Sequence, residues 1–81
     1  MIFSKKQYEF LQKCYHFTPR QIEVIRGICE GLTGDEICKL LKILKSTLGS
    51  HLWNIGNKVG TRGKFELLHK FIRLVSDHKI R

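Results

Sequence analysis

Acidic residues are scarce in this sequence. Seven aspartates and glutamates stand against fifteen lysines and arginines, a net charge of +8 over 81 residues. An excess of this size points to a polyanionic partner, most simply a nucleic acid. Solubility alone is the plainer reading of the same number. The excess is uneven. Residues 1–32 hold five cations and three acids, net +2, whereas residues 33–81 hold ten cations and four acids, net +6. An anion-binding surface is therefore expected mostly in the second part.

Long apolar runs are missing too. No stretch of about 18 apolar residues occurs, so no membrane span is expected. Lys5 and Lys6 are followed by no long apolar segment, which argues against a signal peptide. Proline occurs once and cysteine three times, as Cys14, Cys29 and Cys38. An odd number without a CxxC pair suggests neither a disulfide framework nor a zinc site, and buried thiols in a reducing cytosol are the expectation. His16, His51, His69 and His78 show no paired ligand spacing, so no metal and no cofactor is expected. No nucleophile–base pair or phosphate-binding glycine loop is visible, and "GTRGK" lacks the Walker spacing, so the chain does not read as an enzyme.

What remains is helical spacing. The clearest helix start is "FTPRQI" at 17–22. Thr18 can cap, Pro19 suits the first helical position, and Gln21 can return a bond to the cap. Ile22, Ile25, Ile28 and Cys29 would be buried, with Gly31 as the stop. "TGDE" at 33–36 is a second capping box, opening a short helix with Ile37, Leu40 and Leu41 as its apolar face. A third helix has Leu48, Leu52, Ile55 and Val59 within about 40° of one another, and Gly60 ends it. A fourth runs from about Lys64 to Asp77 with Phe65, Leu68, Phe71, Ile72 and Val75 on one broad face, and Leu67 and Leu74 extend it. Residues 4–15 suggest an extra helix capped by Ser4. The chain thus divides into an N-terminal extension, 1–16, and an all-α domain, 17–81, for which a dimer would supplement a small core.

A short capped helix, a turn and a longer helix is the helix-turn-helix plan, whose second helix enters the major groove. Residues 17–67 resemble the DNA-binding domain of LuxR-type transcription regulators, the group that includes the stand-alone regulator GerE. The family's Leu-Thr-x-Arg-Glu-x-Glu-Val-Leu appears as "FTPRQIEVI". Its Glu-Gly-x-(Ser or Thr)-x-x-Glu-Ile-Ala appears as "EGLTGDEIC". Its Thr-Val-Lys-x-His-x-x-x-Ile-x-x-Lys-Leu-Gly appears as "TLGSHLWNIGNKVG". The resemblance implies a four-helix domain that binds duplex DNA as a homodimer and regulates bacterial transcription in the cytoplasm, on the nucleoid. RNA polymerase is a further partner it allows, and no small-molecule ligand is expected. It implies phosphate contacts by Thr47, His51 and Lys58. It also implies that the last helix supplies the dimer contact, for which Leu67, Phe71 and Leu74 are the candidates.

The departures from the family pattern sit in the reading helix. Gly49 stands where the family usually has a base-contacting lysine. Leu44 stands where it usually has a capping serine, so Ser46 is the next available cap, and the helix is expected either to start later or to fray. Gln21 keeps a glutamate's capping bond without its charge, and Gly56 replaces a larger side chain. Opposite the apolar stripe lie Ser46, Ser50, Trp53, Asn54 and Asn57, the candidate base readers. The asparagines suit adenine and Trp53 suits a thymine methyl, while no cation is placed to read guanine. A·T-leaning readout follows. Thr33, Lys45, Arg62 and Lys64 join the phosphate candidates, with Lys39 and Lys42 beside them. For those cations a merely solvated face is the alternative. Gly49 and Gly56 fit either close backbone approach, to DNA or to a partner helix, or drift under weak constraint. Trp53 fits a base contact, a fold-back onto the surface, or a protein-interface anchor. A protein-interaction module of the same fold that has lost groove reading, and that modulates a related regulator, therefore stays open as the second function.

Overall fold

Helical periodicity resolves into five helices. The computed structural model describes residues 3–79. Its helices are α1 (Lys5–Tyr15), α2 (Pro19–Cys29), α3 (Gly34–Leu41), α4 (Lys45–Val59) and α5 (Lys64–Asp77), and no strand occurs among the described residues. The fold class expected from the sequence, all-α with an extra N-terminal helix, is the one observed.

Three of the helices start with a complete capping box. Ser4 and Gln7 open α1, Thr18 and Gln21 open α2, and Thr33 and Glu36 open α3, each hydroxyl accepting from the backbone three residues on and each partner side chain bonding back. Such a pair satisfies two amides that would otherwise lack partners. α2 ends in a Schellman motif. Gly31 N–H donates to Ile28 O at 3.0 Å and Leu32 N–H to Gly27 O at 3.0 Å, with Gly31 at φ 82°. Gly31 thus marks the stop expected of it. Between α3 and α4 the chain turns through Lys42 in the left-handed region, and Ile43 N–H closes on Cys38 O at 3.0 Å.

The core runs through all five helices. Val24, Ile25 and Ile28 of α2 meet Ile37 of α3, Leu48, Ile55 and Val59 of α4, and Leu67, Phe71 and Val75 of α5. Phe3, Tyr8 and Leu11 are buried in the same cluster, so α1 packs into the core rather than standing off it. α1 lies against α2 and α5, and α4 lies against α2 and α3.

Several expected faces are rotated. Leu67 and Phe71, candidates for a dimer contact, are buried inside the domain's own core, at positions i and i+4 with Val75 completing the row. The apolar side chains left outward on α5 are instead Phe65, 80 % exposed, and Ile72, 47 % exposed, with half-buried Leu68 between them. Leu74 is half-buried against the core. Leu40 is exposed rather than part of α3's buried face. Leu52 is 38 % exposed and sits at the edge of α4's buried stripe. α4 starts at Lys45, with Leu44 at the cap position and Ser46 already inside the helix. Of the thiols, Cys29 is buried, Cys38 is half-buried and Cys14 is exposed, so burial holds for one of the three. Burial pushes the Cys29 thiol up to about 11, which leaves it protonated near neutrality.

Candidate nucleic-acid interface

α4 is placed by its inner face. Leu48, Ile55 and Val59 fall within one narrow arc and bury against α2 and α3. The opposite arc therefore points away from the domain. Ser46, Ser50, Trp53, Asn54 and Asn57, the five base-reading candidates, are all exposed there. Trp53 is 71 % exposed and does not fold back onto the surface. The Ser50 hydroxyl donates to Ser46 O at 3.2 Å, one turn back along the helix. Both serines thus sit on the N-terminal half of the arc, and the larger Trp53, Asn54 and Asn57 follow them along the helix.

The phosphate candidates separate into three groups. Thr33, Thr47, Arg62 and Lys64 are exposed, at the start of α3, in the first turn of α4 and in the α4–α5 connection. Thr33 holds its hydroxyl in the cap of α3, accepting from Glu36 N–H at 3.2 Å. The bond that Thr33 N–H donates to the Glu36 carboxylate at 2.9 Å, with the Thr33 hydroxyl beside it, holds the Glu36 carboxyl below its usual range. Lys64 lies over the Phe65 ring with its ammonium 5.7 Å from the centroid. Lys45 forms the second group. Its ammonium donates to Asp35 Oδ1 at 2.8 Å, bridging the first turns of α3 and α4 on the surface. This hydrogen bond, with Asp35's charge, holds the ammonium above its usual pKa.

The third group lies back against the domain. Lys58 donates from Nζ to Gln21 Oε1 at 2.8 Å and to His16 O at 3.0 Å, with the Phe17 ring beneath at 5.8 Å. Its ammonium clamps α4 to the α1–α2 junction, and two of its three donor hydrogens are committed there. His51, on the same flank of α4, is half-buried. The sequence shows Gln21 as a capping residue. It does not show that the same amide oxygen receives a cation from 37 positions further on. Asp35 was likewise legible only as a helix-start acid, not as the partner of Lys45.

The two unusual glycines of α4 have different surroundings. A Cβ at Gly56 would stand 2.9 Å from Thr61 O, closer than real Cβ contacts come. Glycine is there because the chain leaving α4 folds back across it, with Gly56 O accepting from Gly60 N–H at 2.7 Å and Thr61 N–H at 3.1 Å. A Cβ at Gly49 would meet no described atom within 4 Å. The returning chain thus accounts for Gly56, while no described atom of the domain crowds Gly49.

A capped short helix, a turn of Lys42–Leu44 and a longer helix with a polar, exposed outer arc define a helix-turn-helix domain of the DNA-binding class. The family model for bacterial regulatory proteins of the luxR family matches residues 15–71. The chain belongs to that family, whose domain is a DNA-binding and transcription-regulating one rather than a catalytic one. No curated protein and no solved structure gave a match. No helix among the described residues is long and apolar enough to cross a membrane.

Proposed function

We propose that the protein regulates transcription by binding duplex DNA as a homodimer, with α4 in the major groove. The observation that carries this reading is the outer arc of α4. Five polar or aromatic side chains project from a helix whose inner face is fixed in the core. Asn54 and Asn57 pair with adenine edges and Trp53 meets thymine methyls, so the preferred sites are A·T-leaning. Thr33, Lys45, Thr47, Arg62 and Lys64 contact phosphates and supply most of the affinity. Lys58 serves the phosphate contact indirectly, by holding α4 at its angle. The dimer forms through the outward stripe of α5, Phe65, Leu68 and Ile72, which follows the i, i+3, i+7 spacing of a helix–helix seam.

The test is a titration of the protein into labelled duplexes of random sequence. Affinity should fall steeply between about 50 and 200 mM salt, with a log–log slope near −0.9 per phosphate neutralised. Lys45→Ala should weaken all sequences alike, and Asn54→Ala should relax preference at one base pair. Ile72→Glu should shift sedimentation from dimer to monomer. No retention of any duplex at low salt would remove the reading. A second reading, the interaction module that modulates a related regulator, draws on the exposure of Trp53 and of the α5 stripe. It predicts pairing through α5 with no duplex bound at any salt.

A further inference from the structure

A groove of about 730 Å3 opens on the flank of α4, next to the outer arc. Gly49 and Trp53 form one wall, and the floor is the rim of the core, Ile28, Ile37 and Leu48. At its far end stand Thr61, Arg62 and Lys64. Its size is that of sites that hold a few large side chains or a compact ligand. Three independent features meet at the far end. Thr61 is only 9 % exposed, and its hydroxyl has no hydrogen-bond partner among the described residues. A buried hydroxyl normally has one. α5 starts at that point from Gly63 with no side-chain cap among the described residues, so the amides of its first turn have no side-chain acceptor. Arg62 and Lys64 flank it, and no acidic side chain lines the groove. Glu66, in the same turn, is not part of the lining.

We propose that this groove docks a short acidic segment of a partner protein. An aromatic or long aliphatic side chain of that segment fills the trough between Trp53 and the floor. A neighbouring carboxylate caps α5, pairs with Arg62 and Lys64, and brings the Thr61 hydroxyl an acceptor. Charge complementarity selects this occupant over two others. A DNA backbone would match the cations but leave the apolar trough unfilled. A second copy of this chain would bring its own +8 to a cationic end. The proposal does not depend on the DNA-binding reading. It concerns a neighbouring surface that shares Trp53 and Asn57 with the outer arc of α4, and Arg62 and Lys64 with the phosphate contacts of that reading, so a docked segment and a duplex should exclude each other.

The test is selection of random displayed peptides against the full-length chain without DNA. Enriched sequences should pair a large apolar residue with Asp or Glu and carry net negative charge. The best of them, synthesised and labelled, should bind Gly49→Leu and Arg62→Glu at least about tenfold more weakly. Gly49→Leu fills the trough from a position where a Cβ meets open space, and Arg62 lies on an exposed loop, so the second variant reports even where the first does not fold. Thr61→Val should weaken the peptide severalfold while raising thermal stability, since it removes an unpaired buried hydroxyl. Enrichment without acidic bias, or equal binding by all three variants, overturns the proposal. So do two other outcomes. In one, no peptide is retained and Gly49→Leu abolishes duplex binding, which assigns the groove to DNA. In the other, Gly49→Leu abolishes self-association, which assigns it to a second copy.

Discussion

At its C-terminal end α4 is fixed three times over. Lys58 bonds to His16 and Gln21, the returning chain lies across Gly56, and Gly60 closes the helix in the left-handed conformation at φ 81°. At its N-terminal end the same helix has a leucine at the cap position, one exposed ion pair, and a glycine facing open space. The backbone does not explain the contrast. Leu44 has φ −80° and ψ 158°, next to −74° and 165° at Thr33, −70° and 161° at Thr18 and −78° and 170° at Ser4. The chain adopts the capping conformation at Leu44 without a capping side chain. Tertiary packing of Leu48 therefore sets where α4 begins, and the local signal that opens α1, α2 and α3 is dispensable there. The reading helix is anchored from behind and left plain in front.

Substitutions at the two ends should diverge. Gly56→Ala should lower stability by a net of about 1–2 kcal/mol in urea unfolding, because crowding Thr61 O outweighs the roughly 1 kcal/mol that alanine gains in a helix. A gain at this position would mean that the returning chain can move aside. Lys58→Ala should cost about 1 kcal/mol, since Gln21 keeps its bond from Thr18 N–H, at 3.0 Å, but loses the charged donor. Leu44→Ser should raise stability by about 1 kcal/mol by supplying the missing cap, and hydrogen exchange of the first turn of α4 should slow with it. Gly49→Ala should stabilise by about 0.5–1 kcal/mol, opposite in sign to Gly56→Ala. An equal response at the two glycines would erase the distinction between them.

The smallest effect concerns pH. The Glu36 carboxyl, held below its usual range by the cap of α3, contributes stability that is fully present above its unfolded value of 4.5. That contribution is lost as pH falls through the lowered folded value. Glu36→Gln keeps a capping acceptor without the titration, so it should flatten this part of the acid-unfolding curve. Leu44→Ser carries no carboxylate and should leave it unchanged.

How much of this was legible follows from the range of each interaction. The capping boxes of Thr18 and Thr33, the stop at Gly31 and the arc of exposed residues on α4 rest on contacts three or four positions apart, and they can be read from the sequence. The rotation of α5 cannot. Phe65, Leu67, Phe71 and Ile72 offer two overlapping apolar arcs, and only the position of α1 and the other helices decides that Leu67 and Phe71 face inward. Leu74 has the same ambiguity and ends half-buried. The start of α4 at Lys45 is not legible either, because its cap position holds a leucine with no capping bond. The clamp on Lys58 and the unpaired hydroxyl of Thr61 arise from chain segments distant in sequence or from a turn with no composition signal. The family motif marks Lys58 as a position without saying which way it points.

The burial of Phe3, Tyr8 and Leu11 separates two borders that usually coincide. The family match begins at residue 15, but among the described residues the shared packing reaches back to Phe3. The acceptor that steadies the reading helix, His16 O, sits in the left-handed cap that ends α1. The matched segment is thus shorter than the packed unit. Trimming the protein to its matched segment would keep His16 and Gln21 but take Phe3, Tyr8, Leu11 and Val75 out of the core they pack into.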